Sequence, residues 1–288
     1  MNIIEVWDGY DLHTSLYPSF AYPFYEFKDK NTILMVYGVY RNLLVRFDKS
    51  SNVIEYTPAY SRDVVERLTG IWFNPYEYIS KLSSQAYNLA SEILELIPGL
   101  GLAIDPFDQI GIFISIYLSR NTDFHINTVR WFKKIIDNAR SDDEILNINF
   151  KSIGSSYQLQ QLDDIKAIIK SNINIFKYGD VVELKKLILS IPYASIKTLH
   201  SFYLFARGYT IYAPVDRHLI RYLKLIGYED VIPPVKRYCI RYQCSKCIIR
   251  SRCGYYILRD KFNLMSGWIQ TAIYLLDRFK LINKVFKK

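Results

Sequence analysis

The sequence predicts a mostly α-helical protein that begins with a small antiparallel β-rich domain. Residues 15–56 contain short aromatic and β-branched runs separated by polar turn residues, which is typical of strands. From about Tyr60 onward the apolar residues recur at helical spacing instead. We place the boundary at residue 75, which gives a β-rich N-terminal domain over 1–75 and a helical body over 76–288.

Composition and charge exclude several classes of protein. The 288 residues are 50% hydrophobic and 23% charged, as expected of a folded chain with a sizeable core. The net charge of +9 favours a polyanionic partner. The longest uncharged stretch, Phe262 to Leu276, is shorter than the ~20 apolar residues of a membrane span, and the N-terminus lacks the basic and apolar segments of a signal peptide. We expect an intracellular monomer (cytoplasm or nucleoid of a prokaryote, or nucleus) with no membrane partner.

The individual elements follow from local patterns. Strands are predicted at Phe20 to Phe27, Thr32 to Tyr40, Leu43 to Asp48 and Val53 to Tyr56. A long helix is expected from Glu77 to Ile97, and Asp105-Pro106 begins another that runs to about Leu118. This second helix is apolar nearly all round, so we expect it to be buried. Further helices fit Ile126–Ala139, Asp163–Ser171, Gly179–Ser190, Ser195–Ala206, Arg217–Ile226 and Ser266–Asn283.

All the cysteines of the chain lie between residues 239 and 253, at Cys239, Cys244, Cys247 and Cys253. The spacing is C-x4-C-x2-C-x5-C, and the absence of cysteine elsewhere is unlike a disulfide-built protein. Four clustered thiolates favour a metal, and both a zinc ion and a [4Fe–4S] cluster accept that ligand set. Such a metal is expected at least to stabilise the loop.

The loop around these cysteines, residues 236–259, is strongly basic and contains no acid. A rigid loop of this charge fits a phosphate backbone, although the cations would also partly neutralise an anionic cluster. The residues expected to bind nucleic acid are Lys236, Arg237, Arg241, Arg250 and Arg252.

Residues 191–198 read Ile-Pro-Tyr-Ala-Ser-Ile-Lys-Thr, and Asp216 follows Lys197 by 19 residues within Ala-Pro-Val-Asp-Arg-His. This pair resembles the Leu-Pro-Gly-Val-Gly-x-Lys and Val-Asp-x-His motifs of the helix-hairpin-helix (HhH-GPD) superfamily of DNA base-excision glycosylases. The resemblance implies a helical HhH-GPD body, with the hairpin and catalytic segment at 187–226. The cysteine loop resembles that of endonuclease III, where C-x6-C-x2-C-x5-C holds a [4Fe–4S] cluster. This chain is two residues shorter in the first gap, so zinc stays an alternative.

Four further stretches, in the family's order, resemble the 8-oxoguanine DNA glycosylase branch. They are 105–108 (Asp-Pro-Phe-Asp), 119–123 (Ser-Arg-Asn-Thr-Asp), 153–157 (Ile-Gly-Ser-Ser-Tyr) and 267–274 (Gly-Trp-Ile-Gln-Thr-Ala-Ile-Tyr). Two departures stand out. Tyr193 and Ser195 replace the hairpin glycines, which let backbone N–H groups approach a phosphate. Ile126 and Gln158 replace the arginines that read the opposite cytosine. We therefore expect selectivity for the opposite base to be weaker, or to depend on other residues.

The resemblance assigns catalysis to Asp216 and Lys197. Breaking the glycosidic bond leaves a cationic sugar, which a carboxylate such as Asp216 stabilises; this residue also fits an N-cap. Lys197 would attack C1′ and form a Schiff base, which permits β-elimination of the 3′ phosphate. An ordinary lysine is almost fully protonated near neutrality. We therefore expect burial of Lys197 among residues such as Leu199 and Phe202, or transfer of its proton to the departing base.

The damaged base must leave the stack and enter a pocket. Gln270 and Tyr274 lie four residues apart on one predicted helix face, where an amide can pair with a purine edge and a ring can stack on it. An exposed Gln270 and a core Tyr274 are the alternative. Ser201, one turn beyond Lys197, is expected to face the same pocket.

Three more residues are assigned to DNA contacts by the resemblance. Tyr157 would be the wedge that fills the gap in the duplex, and Asn121 the polar plug beside the estranged base. The alternatives are a buried Tyr157 and an Asn121 that caps the helix starting near Asp123. His218 is expected to contact a phosphate or to orient Asp216.

These residues together predict a base-excision repair glycosylase with AP lyase activity on double-stranded DNA that contains a damaged base or an abasic site. The first expected lesion is 8-oxoguanine. Two alternatives stay open. One is a glycosylase for oxidised pyrimidines or alkylated bases, and the other is a catalytically inactive DNA-binding relative, which the missing hairpin glycines would suit.

Overall fold

The computed structural model describes residues 2–282. Its N-terminal part is one antiparallel sheet with the strand order β1-β5-β4-β3-β2. Alternate residues along the strands, such as Val45 and Phe47, are buried against the helices, as a sheet with one solvated face requires. The strands are β1 Asn2–Glu5, β2 Tyr25–Phe27, β3 Thr32–Met35, β4 Leu44–Asp48 and β5 Val53–Thr57.

Two strand predictions were too long and one strand was missed. The run Phe20 to Phe27 forms a strand only at its end, because a 3-10 turn with Pro23 precedes it. The run Thr32 to Tyr40 ends at Met35, since the chain turns at Gly38, which has a φ of 92°. The strand Asn2–Glu5 was not expected, because its only support is pairing with the distant β5.

The remainder of the described chain is helical, which confirms the predicted fold class. One π-helical turn, Phe124–Thr128, stands before α6. The helices are α1 Leu12–Leu16, α2 Arg62–Thr69, α3 Pro75–Ile79, α4 Ser84–Leu96, α5 Gln109–Leu118, α6 Val129–Ile136, α7 Asp142–Ile145, α8 Tyr157–Ser171, α9 Ile173–Tyr178, α10 Val181–Ser190, α11 Ile196–Arg207, α12 Arg217–Leu225, α13 Lys236–Arg241, α14 Gly254–Phe262 and α15 Ser266–Arg278.

Several helix boundaries differ from the predictions. The expected helix Glu77 to Ile97 is two helices, α3 and α4, because Ser83 adopts extended backbone at the start of the second. The helix predicted from Asp163 begins six residues earlier, at Tyr157, where the hydroxyl of Ser156 caps it. The last predicted helix ends at Arg278, and its expected end at Asn283 lies outside the described residues.

Helix α5 is buried along its whole length, as predicted, and connects the sheet to the helical body. Its N-terminus is capped from another helix. Asp142 of α7 accepts the backbone N–H groups of Ile110 (2.8 Å) and Gly111 (2.7 Å), and also the hydroxyl of Tyr37 from the turn after β3 (3.0 Å). This contact fixes the direction of α5, whose C-terminal end leads directly into the candidate site.

The sheet and the helices share one hydrophobic core. No helix within residues 2–282 is long and apolar enough to cross a membrane. The domain boundary at residue 75 stays a prediction, as do the monomeric state and the cellular compartment.

Candidate active site

A cavity of about 630 Å³ lies between the start of α11, the start of α12 and one side of α15. The turn after α5 and the segment around Phe20 close its remaining sides. The cavity is lined by Pro18, Phe20, Ser119, Asn121, Thr122, Asp123, Phe124, Lys197, Ser201, Phe205, Pro214, Asp216, Arg217, His218, Gln270, Thr271, Tyr274 and Arg278. The structure therefore brings both predicted catalytic residues and all three predicted base-pocket residues to one cavity.

Lys197 lies in the first turn of α11, which Ser195 caps through a reciprocal pair of bonds with Thr198. Its side chain is exposed to solvent at the mouth of the cavity. The expectation that Lys197 is buried among Leu199 and Phe202 is therefore wrong. Helical spacing is the reason, since residues 199 and 202 point into the core, away from the face that carries Lys197. The other route, proton transfer to the departing base, stays a prediction.

Asp216 is the N-cap of α12, where its Oδ1 accepts the backbone N–H of Leu219 at 2.9 Å. Its second oxygen, Oδ2, accepts the side-chain amide of Gln270 at 3.2 Å. Both bonds hold the carboxylate in one orientation while it remains half-buried in the cavity wall. Asp216 is thus both a helix cap and a cavity residue.

The predicted base-pocket residues line the inner part of the cavity. Gln270 is 6% exposed and Ser201 is 1% exposed, so neither is a surface residue. Tyr274, one turn after Gln270 on α15, is half-buried, and burial raises the pKa of its phenol above the ordinary value. Ser201 lies one turn after Lys197 on α11 and is buried beneath it.

His218 lines the cavity but does not contact Asp216. Its Nδ1 hydrogen bonds instead to the carboxylate of Asp277, which also accepts Arg221 Nη1 at 2.8 Å. The ring of Tyr274 packs edge-on against the imidazole at 5.3 Å. The proposed role of His218 in orienting Asp216 is therefore wrong, because α15 supplies a closer carboxylate. A phosphate contact stays a prediction.

Asn121 lines the cavity, whereas Tyr157 lies outside its lining. Asn121 is exposed, with a φ of 51° that its short polar side chain tolerates. The cap of the π-helical turn is Asp123, so Asn121 does not cap a helix. Tyr157 is 47% exposed, which excludes the alternative of a buried core tyrosine. Of the two positions where the family has arginines, Ile126 is exposed and Gln158 is buried.

At the first of the two positions where the family has hairpin glycines, the backbone keeps the conformation that glycine favours. Tyr193 has a φ of 63°, the left-handed region that favours glycine, and its side chain is 62% exposed. Arg120 supports this turn: it donates to Tyr193 O at 3.1 Å and to Gln161 Oε1 at 2.7 Å. Ser195 has ordinary extended backbone, so the second glycine position has become a cap instead.

Several basic residues of the cysteine loop already make contacts within the protein. The amine of Lys236 donates to Ala194 O of the hairpin at 3.1 Å, which ties the loop to the site. Arg237 stacks over Tyr238 at 4.7 Å, and Arg252 donates to Asp230 O at 3.3 Å. Arg250 bonds the carbonyl of Ser245, and Arg241 is exposed. All four arginines have exposed side chains.

The four cysteines are free thiols on one loop, with Cys253 buried and the others half-buried. Burial, together with the charges of the three other cysteines, raises the pKa of Cys239 to about 12. Within residues 2–282, however, no three His, Cys, Asp or Glu side chains are arranged to hold a metal ion. Four thiolates are a donor set that both a [4Fe–4S] cluster and a zinc ion accept, and the choice between them stays a prediction.

Some cavity residues were not predicted. Phe20 reaches the cavity from the N-terminal segment, and Arg278 pairs with Asp123 at 2.6 Å across its wall. No local sequence signal marks either residue, since both arrive by tertiary packing. A separate and larger cavity, of about 880 Å³, lies between the sheet and α6 near His13 and Arg140, away from all the predicted site residues.

The fold is that of DNA glycosylases. The 8-oxoguanine glycosylase/lyase of Clostridium acetobutylicum, in complex with double-stranded DNA containing cytosine opposite 8-oxoguanine, matches with a TM-score of 0.66 and 13% identity over 94% of this chain and 92% of that chain. Its apo form matches with a TM-score of 0.67 and 14% identity over 94% of each chain. The 3-methyladenine DNA glycosylase from Archaeoglobus fulgidus matches with a TM-score of 0.67 and 12% identity over 97% of this chain and 99% of that chain.

No protein-family model and no curated protein matches the sequence. At these identities the structural likeness establishes the fold. The predicted helical glycosylase fold with an N-terminal antiparallel sheet is therefore confirmed, and activity is a separate question.

Proposed function

We propose that this protein is a DNA glycosylase with AP lyase activity, for which 8-oxoguanine in double-stranded DNA is the first candidate substrate. The observation that carries the proposal is the convergence of Lys197, Asp216 and Gln270 on one cavity. The solved structures of the same fold include glycosylases named for 8-oxoguanine and for 3-methyladenine, and one of them is bound to duplex DNA that contains 8-oxoguanine.

Asp216 would stabilise the cationic sugar as the bond between C1′ and the base breaks. A carboxylate that two donors hold in place needs no reorganisation when charge develops, which is the condition for strong electrostatic stabilisation. The departing base takes a proton, and the Lys197 ammonium at the cavity mouth is the available donor. Loss of that proton turns Lys197 into the nucleophile.

The lyase step uses the same amine. Lys197 Nζ forms a bond to C1′, the sugar ring opens with O4′ taking a proton, and an iminium ion results. Removal of a C2′ proton then expels the 3′ phosphate and cuts the strand. The exposed position of Lys197 suits this step, since the amine must reach a sugar that stays on the DNA.

The orientation of Gln270 favours an oxidised guanine. Because a carboxylate only accepts hydrogen bonds, the amide N–H group of Gln270 must face Asp216, and the amide oxygen Oε1 is left for the base. A guanine-type base offers N–H donors to such an acceptor on its Watson–Crick edge. An alkylated adenine offers its N6 amino group beside the ring acceptor N1, and an oxidised thymine offers one N3–H, so these alternatives meet the Gln270 oxygen with fewer donor groups than guanine does.

We also propose that Cys239, Cys244, Cys247 and Cys253 hold a [4Fe–4S] cluster. Bound there, the cluster would fix the conformation of the basic loop. The loop already contacts the hairpin through Lys236 and Ala194, so its order bears directly on how DNA is gripped. We assign it no part in bond breaking.

The decisive experiment is trapping with borohydride, which reduces a Schiff base to a stable protein–DNA adduct. The full chain should be trapped on a duplex containing 8-oxoguanine opposite cytosine, and Lys197→Gln should not be, although it still binds the duplex. Lys186→Gln, an exposed lysine of α10 outside the cavity, is the matched control and should trap normally. Undiminished trapping by Lys197→Gln would place the nucleophile elsewhere, and no trapping by the unmodified chain would overturn the lyase assignment.

A further inference from the structure

A second cavity, of about 520 Å³, adjoins the candidate active site. The two share Ser119, Asn121, Lys197 and Ser201, which form the partition between them. The far side of the second cavity is formed by residues that the proposed chemistry does not use: Ile116, Arg120, Tyr157, Gln161, Tyr193, Ser195 and Thr198.

Tyr193 is the most unusual residue of this cavity. A bulky side chain at a φ of 63° is strained, and such strain persists where the surrounding structure enforces it, often at functional sites. The residue is 62% exposed, and the contact to its ring comes from the Arg120 guanidinium, 5.7 Å from the ring centroid. Burial therefore does not account for a tyrosine here.

The surrounding contacts hold Tyr193 from below. The guanidinium of Arg120 bonds the carbonyl of Tyr193 and lies 3.6 Å over the ring of Tyr117. Tyr117 in turn donates its hydroxyl to Pro192 O at 3.2 Å. These bonds fix the turn at two adjacent carbonyls and leave the Tyr193 side chain directed outward at the rim.

Tyr157 lies on the same cavity, at the first position of α8 and 47% exposed. Two exposed aromatic residues on one cavity can form a stacking platform, because every nucleobase has a face that stacks on an aromatic ring. Gln161 and Asn121 supply amide groups that can meet the polar edge of a base.

We propose that this second cavity binds another nucleobase of the same duplex, stacked against Tyr193, while the damaged base occupies the first cavity. The inference rests on the proposed function, which makes DNA the ligand. The base comes from one of two sources, the position opposite the lesion or the same-strand position beside it. Tyr193 would then replace a backbone contact to phosphate with a contact to a base.

The test is a double-mutant cycle between a tyrosine side chain and a base. Binding of the full chain is measured on duplexes with a tetrahydrofuran abasic analogue in place of the lesion, which cannot be cleaved by this chemistry. In two further duplexes the opposite base or the neighbouring base is also replaced by the analogue. Tyr193→Gly suits the test because glycine tolerates the left-handed backbone, so folding should be unchanged or improved.

Tyr193→Gly should weaken binding about tenfold when the contacted base is present and have no effect when that base is missing. The duplex in which the effect disappears identifies the source of the base. Tyr193→Phe should bind as the unmodified chain does, because it keeps the ring. Tyr178→Ala, which removes an 80% exposed tyrosine outside both cavities, is the control and should also change nothing.

Two results would overturn the inference. An equal loss of affinity on all three duplexes would mean that Tyr193 shapes the hairpin for the phosphate backbone, and no loss on any would mean that its ring contacts no DNA. The proposed function fails separately, if the abasic duplex binds no more tightly than undamaged DNA.

Discussion

The side-chain amide of Gln270 donates a hydrogen bond to Oδ2 of Asp216, with 3.2 Å between the two heavy atoms. The residue proposed to read the base therefore also holds the carboxylate proposed to stabilise the sugar. Gln270 comes from α15 and Asp216 from the start of α12, and these two helices pack together. Recognition and chemistry are thus mechanically linked, and substitutions at the two positions should have related but separable effects.

Replacing Gln270 with Ala should slow release of a damaged base by about 10- to 100-fold, the scale of one hydrogen bond to a charged group. Nicking of a preformed abasic site should fall less, because no base remains to be read and only the support of Asp216 is lost. Single-turnover rates on both substrates measure the contrast. Gln109→Ala is the control, since it removes a buried glutamine whose amide bonds Pro106 O away from the cavity. Equal losses on both substrates would mean that Gln270 only supports Asp216 or the fold and does not read the base.

Asp216→Asn should slow base release by ~10²-fold or more while leaving the free energy of unfolding nearly unchanged. Asparagine keeps a side-chain oxygen for the N–H of Leu219, and the amide of Gln270 can rotate to present its oxygen to the new NH2 group. Asp216→Ala should lose the same activity and also about 1 kcal/mol of stability, because the helix cap is gone. Base-release rates and urea denaturation test both variants. A large loss of stability in Asp216→Asn would contradict the separation of the two roles.

Protein purified without oxygen should be brown and contain close to four irons per chain, because the loop supplies four thiolates. Cys244→Ser should lower the iron content and weaken DNA binding together, since the loop carries exposed cations and contacts the hairpin. Metal analysis and binding to an abasic-analogue duplex check the two effects. Stoichiometric zinc without iron would contradict the cluster, and full iron in Cys244→Ser would remove that residue from the ligand set.

A cluster of buried carboxylates at the start of α5 predicts that stability falls as pH rises. Burial, with the charges of Asp105 and Asp142, raises the pKa of Asp108 to about 9, and burial raises that of Asp105 to about 7. Since an unfolded Asp titrates near pH 4, the folded state keeps protons that the unfolded state has released. The stabilising contribution is therefore full below about pH 4 and lost as pH rises toward 9.

Asp108→Asn removes one of these groups and should flatten the profile. The difference in unfolding free energy between pH 5 and pH 9 should shrink by at least about 1 kcal/mol, as measured by urea denaturation at each pH. Asparagine retains an oxygen for the N–H of Val39, so the fold should survive. Asp137→Asn is the control, because this exposed aspartate directly after α6 should leave the pH profile as it is. An unchanged slope in Asp108→Asn would show that this carboxyl is ionised in the folded protein.

The sequence by itself determined the class of fold and identified the residues whose side chains could take part in chemistry. Strand-like and helix-like periodicity separate at about residue 60, and the uniformly apolar α5 is buried as its pattern indicates. The N-cap signal at Asp216 and the one-turn spacings between Lys197 and Ser201 and between Gln270 and Tyr274 are local properties of helices. Local spacing therefore predicted which side chains share a face.

Only the tertiary structure decided which faces meet. The bond between Gln270 and Asp216 joins positions 54 residues apart, and the pairing of His218 with Asp277 displaces the expected contact to Asp216. Lys197 is exposed because its face of α11 borders a cavity that distant helices and Phe20 complete. Periodicity orients a side chain about its own helix axis but carries no information on what packs opposite, and that packing sets burial and hydrogen-bond partners.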